Sequence, residues 1–404
     1  MSAFKIFSRN AILVIFITAL GVSSCKIAKP IATGTSNSDT LKSDSLIVVT
    51  KPDSISKDSM IAQIDSIQVD ILPLVHLKDT ISIIGVGDIM MSTNFPSKDY
   101  LAPRNAQDLW AEVKDTLLNA DITFGNLEGV VLDEGGEQKE CKNPAVCYLF
   151  RTPVSYAQNL QDVGFDVMSL ANNHANDFGE TGRKSTMSVL DSLGIAYSGV
   201  LEAPYTIFQV ADSLTVGFAA FAPNKGTMSI HQPEKIKEVL QHLDTLTDIV
   251  ISSFHAGAEG AEHQKIPRTT ETYYGENRGN VYELARLMID AGADVVFGHG
   301  PHVTRAVDVY KDRFIAYSLG NFFTYGRFSL RGPKGIGPIV KIHTNREGRF
   351  LFGQVISIKQ IGRGYPVFDE ENQAIKIISQ LTREDFPESS IVIDQSGRIS
   401  YIEN

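Results

Sequence analysis

Asp88, Asn126, Glu128, Asn173, His174, His255, His299 and His302 are the residues of this chain whose types could do chemistry together. Carboxylates, amide oxygens and imidazoles make a hard-to-borderline donor set for a divalent cation, the setting for hydrolysis by an activated water. Each group follows a short apolar run that stops abruptly. Ile81–Val86 runs into Gly87-Asp88, Ile122–Phe124 into Gly125-Asn126-Leu127-Glu128, and Val167–Leu170 into Asn172-Asn173-His174. Ile249–Ile251 leads to His255, and Val295–Phe297 to Gly298-His299-Gly300-Pro301-His302. Other chemistries have little to stand on. Gly85-Val86-Gly87-Asp88 lacks the third glycine and following helix of a dinucleotide loop, and no serine elbow or Cys–His nucleophile pattern stands out.

For these stops to meet, the runs must be strands whose carboxyl ends face one crevice, as in an open α/β sheet. The intervening segments fit that arrangement. Helices are predicted over 106–118, 154–163, 180–193 and 280–291, the last with Val281, Leu284, Ala285, Met288 and Ala291 on one face. Gly164, Gly194 and Gly292 follow three of them, where a left-handed C-terminal cap favours glycine. Ala120-Asp121, Phe165-Asp166, Thr247-Asp248 and Ala293-Asp294 each precede Ile or Val, an echo that reads as turn chemistry before a buried strand. A sixth strand over 313–317, a Gly-rich loop over 331–337, strands near 339–343 and 351–359, a helix over 370–381 and a hairpin over 391–401 complete the expectation. Nothing forces a second domain, and the alternation argues for an α/β layered fold.

Composition bounds the partners. A net charge of −10 over 404 residues argues against nucleic-acid binding, which needs clustered Lys and Arg. Arg278, Arg305, Arg327 and Arg331 lie beside the last site-bearing loops, as a local basic funnel or as solvated surface. Residues 1–24 read as an export signal, with Lys5 and Arg9 before an apolar core too short to span a bilayer. Val22-Ser23-Ser24-Cys25 resembles a bacterial lipoprotein cleavage site, which implies a diacylglyceryl thioether on Cys25 and anchoring to a membrane outside the cytoplasm. A plain cleaved signal with an incidental thiol is the other reading. Residues 25–75, rich in Ser, Thr, Asp and Lys from about residue 30, read as a disordered tether. Roughly 45 such residues reach about 35–40 Å by random-coil scaling. The folded part is then 76–404. Within it Cys141 and Cys147 could close a disulfide in an oxidising compartment, worth roughly 2 kcal/mol. Two free thiols are the alternative.

Six motifs in order resemble the CapA family of poly-γ-glutamate capsule-synthesis proteins: Gly87-Asp88-Ile89-Met90, Asn126-Leu127-Glu128, Ala171-Asn172-Asn173-His174 with Asp177, His255-x-Gly257-x-Glu259, Gly292 through His302, and Tyr317 through Phe322. That family in turn looks like a branch of the calcineurin-like metallophosphoesterases. The resemblance implies a four-layer αββα sandwich holding one or two divalent cations of Mn, Fe or Zn type. It implies Asp88, Asn126, Glu128, Asn173, His255, His299 and His302 as metal ligands. It gives His174 the role of proton donor to the leaving oxygen, a task that suits imidazole, with Asp177 orienting its ring. Glu259, Arg305 and Asn321 are the expected substrate contacts.

Three positions depart from the superfamily's pattern: Met90 stands where a His is frequent, Asn126 where Asp is usual, and His299 is one residue too far from His302. One firm cation and one weak or absent one is the resulting expectation. Two functions follow. The first is an envelope hydrolase acting on a phosphoester or an anionic envelope polymer. The second is a non-catalytic accessory protein that binds, anchors or helps export such a polymer alongside other capsule-synthesis proteins.

Overall fold

The computed structural model describes residues 79–140, 147–210 and 214–402. The export signal, Cys25, the tether and Cys141 lie outside the described residues. Cys147 is disulfide-bonded.

Two sheets carry the fold. The larger has ten strands, ordered along its main path as Ile391–Ile393, Arg398–Tyr401, Phe350–Ile361, Ile336–Asn345, Thr80–Met90, Ile122–Leu127, Val167–Ser169 and Ala196–Ser198. The smaller has six: Val307–Tyr310, Arg313–Ala316, Val295–His299, Ile249–His255, Leu214–Phe221 and Thr206–Val210. Their inner faces share one core, in which Ile81, Ile83, Ile122 and Phe124 meet Val216, Phe218, Ile251 and Phe297. Phe124 and Phe297 stack across it, centroids 5.2 Å apart and 7° from parallel. Removing either ring would cost about 3–5 kcal/mol.

Helices cover both outer faces. Val154–Asp162 and Gly179–Leu193 place Tyr156, Ala157, Leu160 and Leu190 against Ile84, Val86 and Ile89 of the larger sheet. Pro233–Asp244 and Val281–Asp290 place Ile236, Leu240, Leu243, Leu284 and Met288 against Phe221, Val250 and Val296 of the smaller. The result is the four-layer αββα sandwich. The predicted helix over 106–118 is instead a 3-10 segment, Pro103–Trp110, followed by a single turn, Lys114–Leu117. The predicted 370–381 helix runs Gln373–Asp385. Pro233–Asp244 is an addition to the sequence-based expectation, as are the Thr206–Val210 and Leu214–Phe221 strands.

The aspartate echo has a specific cause. Each Asp side chain accepts a backbone N–H from the start of the neighbouring parallel strand: Ser82 N to Asp121, Thr123 N to Asp166, Thr215 N to Asp248, and Val250 N to Asp294, all at 2.8 Å. Each Asp N–H in turn donates to a carbonyl of the same neighbour, at 2.8–3.0 Å. These four clasps fix the register at the amino ends of strands whose carboxyl ends carry the candidate site. Among the described residues no helix is long and apolar enough to cross a membrane.

Candidate metal centre

Four of the five strands do not stop where the apolar runs stop; the third, Val167–Ser169, ends before its polar residues. The four continue through the polar residues, so Asp88, Asn126, His255 and His299 are themselves strand residues. A register shift between Gly85 and Asp88 sets Asp88 opposite both Asn126 and Asn321. The two glycines of Gly85-Val86-Gly87 allow this. A Cβ on Gly85 would meet the Phe297 ring at 2.5 Å, and one on Gly87 the Gly320 carbonyl at 2.1 Å. Asp88 N–H then donates to Gly320 O at 2.9 Å. The stops lie on both sheets, so the crevice forms between them: Asp88, Asn126 and the Asn173 loop come from the larger, His255 and His302 from the smaller.

Asp88, Glu128 and His302 offer ligand atoms that all lie within 4.8 Å of one another. His302 Nδ1 is 2.9 Å from Asp88 Oδ2, and its Nε2 is 3.6 Å from Glu128 Oε1. His302 reaches this place with φ of 56°, a left-handed backbone that non-glycine residues rarely adopt and that concentrates at functional sites. The His255 ring stands 6.2 Å from that of His302.

The residues fit a divalent cation, and the test is hydrogen bonding. Buried polar atoms are nearly always paired, because a lost partner costs about 1–3 kcal/mol. Here Glu128 Oε1 and Oε2, Asn173 Oδ1 and both His255 ring nitrogens are buried and have no hydrogen-bond partner among the described residues. They are the atom types a hard-to-borderline cation takes. The electrostatics agree. Burial, reinforced by the charge of Asp88, pushes the Glu128 carboxyl well above its ordinary range. Burial also opposes ionisation of Asp88, yet the His302 hydrogen bond and charge win and draw it down to about 2. Burial pushes His255 far below the usual imidazole range, which leaves its ring neutral and able to donate a lone pair.

His174 sits beside this cluster, its Nε2 3.9 Å from Glu128 Oε1. Asp177 Oδ2 holds Nδ1 at 2.7 Å. Asp177 is itself fixed by Lys139 Nζ at 2.8 Å and by Phe150 N–H at 2.8 Å. The same Lys139 ammonium donates to the Asn173 carbonyl at 2.9 Å, so one cation braces both the dyad and the loop carrying Asn173. Phe150 lies 4.4 Å from the His174 ring and stacks on Phe328, which in turn meets His302 at 5.4 Å. The two rings wall one side of the crevice.

Four expectations need correction. Asn126 is a brace: its Nδ2 donates to Asp88 Oδ1 at 2.8 Å and its Oδ1 accepts from Asn172 at 3.2 Å. A carboxylate only accepts, so the amide nitrogen must face Asp88 and the oxygen faces away. His299 is also committed, with Nε2 on the Val86 carbonyl at 3.1 Å and Nδ1 toward Ser253 Oγ at 3.4 Å. Arg305 is wholly buried and grips Glu271 through two nitrogens at 2.8 and 2.6 Å, which removes it from substrate contact. Asn321 is buried, its Oδ1 3.1 Å from His302 Nδ1 and its Nδ2 on the Lys334 carbonyl, so it positions His302. Glu259 pairs with Arg278 at 3.0 Å and stays partly exposed. Asn172, Lys139, Phe150 and Phe328 are site residues the sequence analysis missed. Met90 is buried in the first strand between Ile89 and Met91, which pack in the outer core.

Comparison with known proteins places this geometry. A capsule biosynthesis protein CapA of Bacillus anthracis is 31% identical over 257 residues, spanning 59% of this chain and 58% of its own length. The chain therefore covers less than two thirds of that relative. A PGA biosynthesis protein CapA of Bacillus subtilis (strain 168) is 29% identical over 290 residues, spanning 68% of this chain and 70% of its own. Among solved structures, a 5'-nucleotidase precursor from Thermus thermophilus overlays with a TM-score of 0.37 and 9% identity, covering 76% of this chain and 59% of that one. The family model described as bacterial capsule synthesis protein PGA_cap matches residues 82–325, which take in Asp88, Glu128, Asn173, His174, His255 and His302. The chain belongs to the bacterial capsule synthesis protein family.

Proposed function

We propose that the protein is a metal-dependent hydrolase of the cell envelope that acts on a phosphoester or polymer bond in capsule synthesis. One observation carries the reading: the buried donors of Glu128 and His255, without partners among the described residues, lie beside the Asp88–His302 pair. Asp88, Glu128, Asn173, His255 and His302 would hold the cation. When bound, it supplies charge that polarises the scissile bond and acidifies water. The chain's own residues do the rest. His174, its Nδ1–H held by Asp177, would give the leaving oxygen a proton from Nε2 as the imidazolium, the form that Asp177 favours against the downward push of burial. Lys139 fixes Asp177, and Phe150 and Phe328 keep water from one side of the crevice. Export by residues 1–24, a lipid on Cys25 and a tether through residue 75 would place this site outside the cytoplasm.

The accessory reading has one observation of its own. Asn126 is neutral and braces Asp88 without adding a donor, which lowers the charge available to a second cation. Elemental analysis of the purified chain, with a phosphodiester screen in added manganese, separates the two. The hydrolase reading expects bound cation and turnover that His174→Ala abolishes. A chain that holds no cation and turns nothing over would leave only the accessory role, while turnover untouched by His174→Ala would refute the part given to His174.

A further inference from the structure

The β-hairpin built from Glu271–Tyr273 and Glu276–Gly279 lies beside the metal-binding loop and carries Arg278. Its root is held by the Arg305–Glu271 pair, and Glu271 also accepts the Ala258 N–H at 3.0 Å. Gly257 N–H, two residues after His255, donates to the Arg278 carbonyl at 2.9 Å. The hairpin and the His255–Glu259 loop are thus one rigid unit. The Arg278 side chain is only 6% exposed, and a guanidinium cannot shed its charge. Yet its ion pairs use a single nitrogen: Nη2 reaches Glu259 at 3.0 Å and Glu276 at 3.3 Å. Nε and Nη1 are buried without any acceptor among the described residues. Unpaired donors on a buried cation are among the more costly groups a fold can carry. The charge also reaches the candidate centre, since it acts on His255, while that of Glu259 acts on Glu128 and His302.

The geometry points to Arg278 as the receptor for an oxyanion of the substrate, a phosphate or a carboxylate, an oxygen of which accepts from Nη1 or Nε beside the candidate metal centre. Nε and Nη1 point to opposite edges of the guanidinium, so one oxyanion takes one of the two, and a planar donor that keeps its charge suits either group. Glu259 then holds the guanidinium in place through Nη2. The inference rests on the hydrolase reading for the site's purpose and names the class of substrate that reading left open.

Calorimetric titration of the purified full chain, with and without manganese, tests it. Inorganic phosphate probes one source of the oxyanion and a short γ-linked glutamate oligomer the other. At least one probe should bind, and Arg278→Met should weaken it tenfold or more with cation stoichiometry unchanged. Arg278→Lys keeps the charge and the Glu259 pairing but loses the fork, so it should fall between and serves as the reading if the Met variant fails to fold. Binding by the manganese-loaded wild type of neither probe, or equal binding by wild type and both variants, overturns the inference. A chain that holds no manganese but binds a probe through Arg278 refutes the hydrolase reading alone.

Discussion

At the amino ends of the parallel strands, Asp121, Asp166, Asp248 and Asp294 each accept a backbone N–H and return one. At the carboxyl ends of the same strands, Glu128, His255 and the half-buried Asn173 carry side-chain atoms that nothing among the described residues satisfies, and His302 has a left-handed backbone. Both ends carry polar side chains at strand boundaries. The first end is consistent with its surroundings and stabilises the fold. The second is not, and local inconsistency in a native protein collects where function requires it.

The largest effect expected is at the second end. Asp88→Asn or His255→Ala should weaken manganese binding by more than the roughly tenfold to hundredfold typical of losing an outer partner. Titration calorimetry reads this, and unchanged affinity would break the contrast between the two ends. Next, Asp294→Ala should destabilise the fold by about 2–3 kcal/mol, because it strands the Val250 N–H and the Arg313 guanidinium. In a folded part this size that lowers the thermal midpoint by roughly 1–2 °C per kcal/mol. Manganese affinity should not move. A third change joins the two kinds of region. Lys139→Met should cost about tenfold in turnover, as loss of an outer partner does, with partial rescue by Lys139→Arg. Full activity in the Met variant would show that Asp177 needs no brace.

The smallest effect is a pH slope. Burial raises Asp166 and Asp294 to about 6 from an ordinary 3.8, against the opposing pull of their backbone hydrogen bonds. Their folded values exceed the unfolded ones, so this contribution is fully present below pH 3.8 and is lost as pH rises through 6. Asp294→Asn keeps an acceptor for Val250 and removes the titration. Thermal midpoints from pH 4 to 7 should therefore slope less in that variant, and an identical slope would contradict the assignment.

Much of this architecture is legible in the residues. Continuous apolar runs ending at Asp88, Asn126, His255 and His299 give the strands, and Gly194 with φ of 67° caps its helix as its position implies. The limit is that a run of apolar letters marks where a strand is buried, while the strand itself extends as far as its backbone pairs. The helix Pro233–Asp244 was equally legible, with Ile236, Val239, Leu240 and Leu243 on one face. Other features lie beyond any local pattern. Lys139 meets Asp177 across 38 positions and Phe150 meets it across 27, through loops whose letters have no period. Arg305 reads as a surface cation beside a His motif until Glu271, 34 residues away, is seen to bury it. His299 and His302 differ only in which partner each ring nitrogen finds, and spacing does not carry that information.

If the partnerless donors at the carboxyl ends form a cation site, the chain must take up a divalent ion. Manganese titration of the purified, chelator-treated chain, followed by calorimetry and thermal midpoint together, tests it most directly. The account predicts at least one tightly held cation per chain, a midpoint that rises with cation concentration, and loss of both in His255→Ala. A wild-type chain that takes up no divalent cation, with a midpoint indifferent to it, would contradict the account.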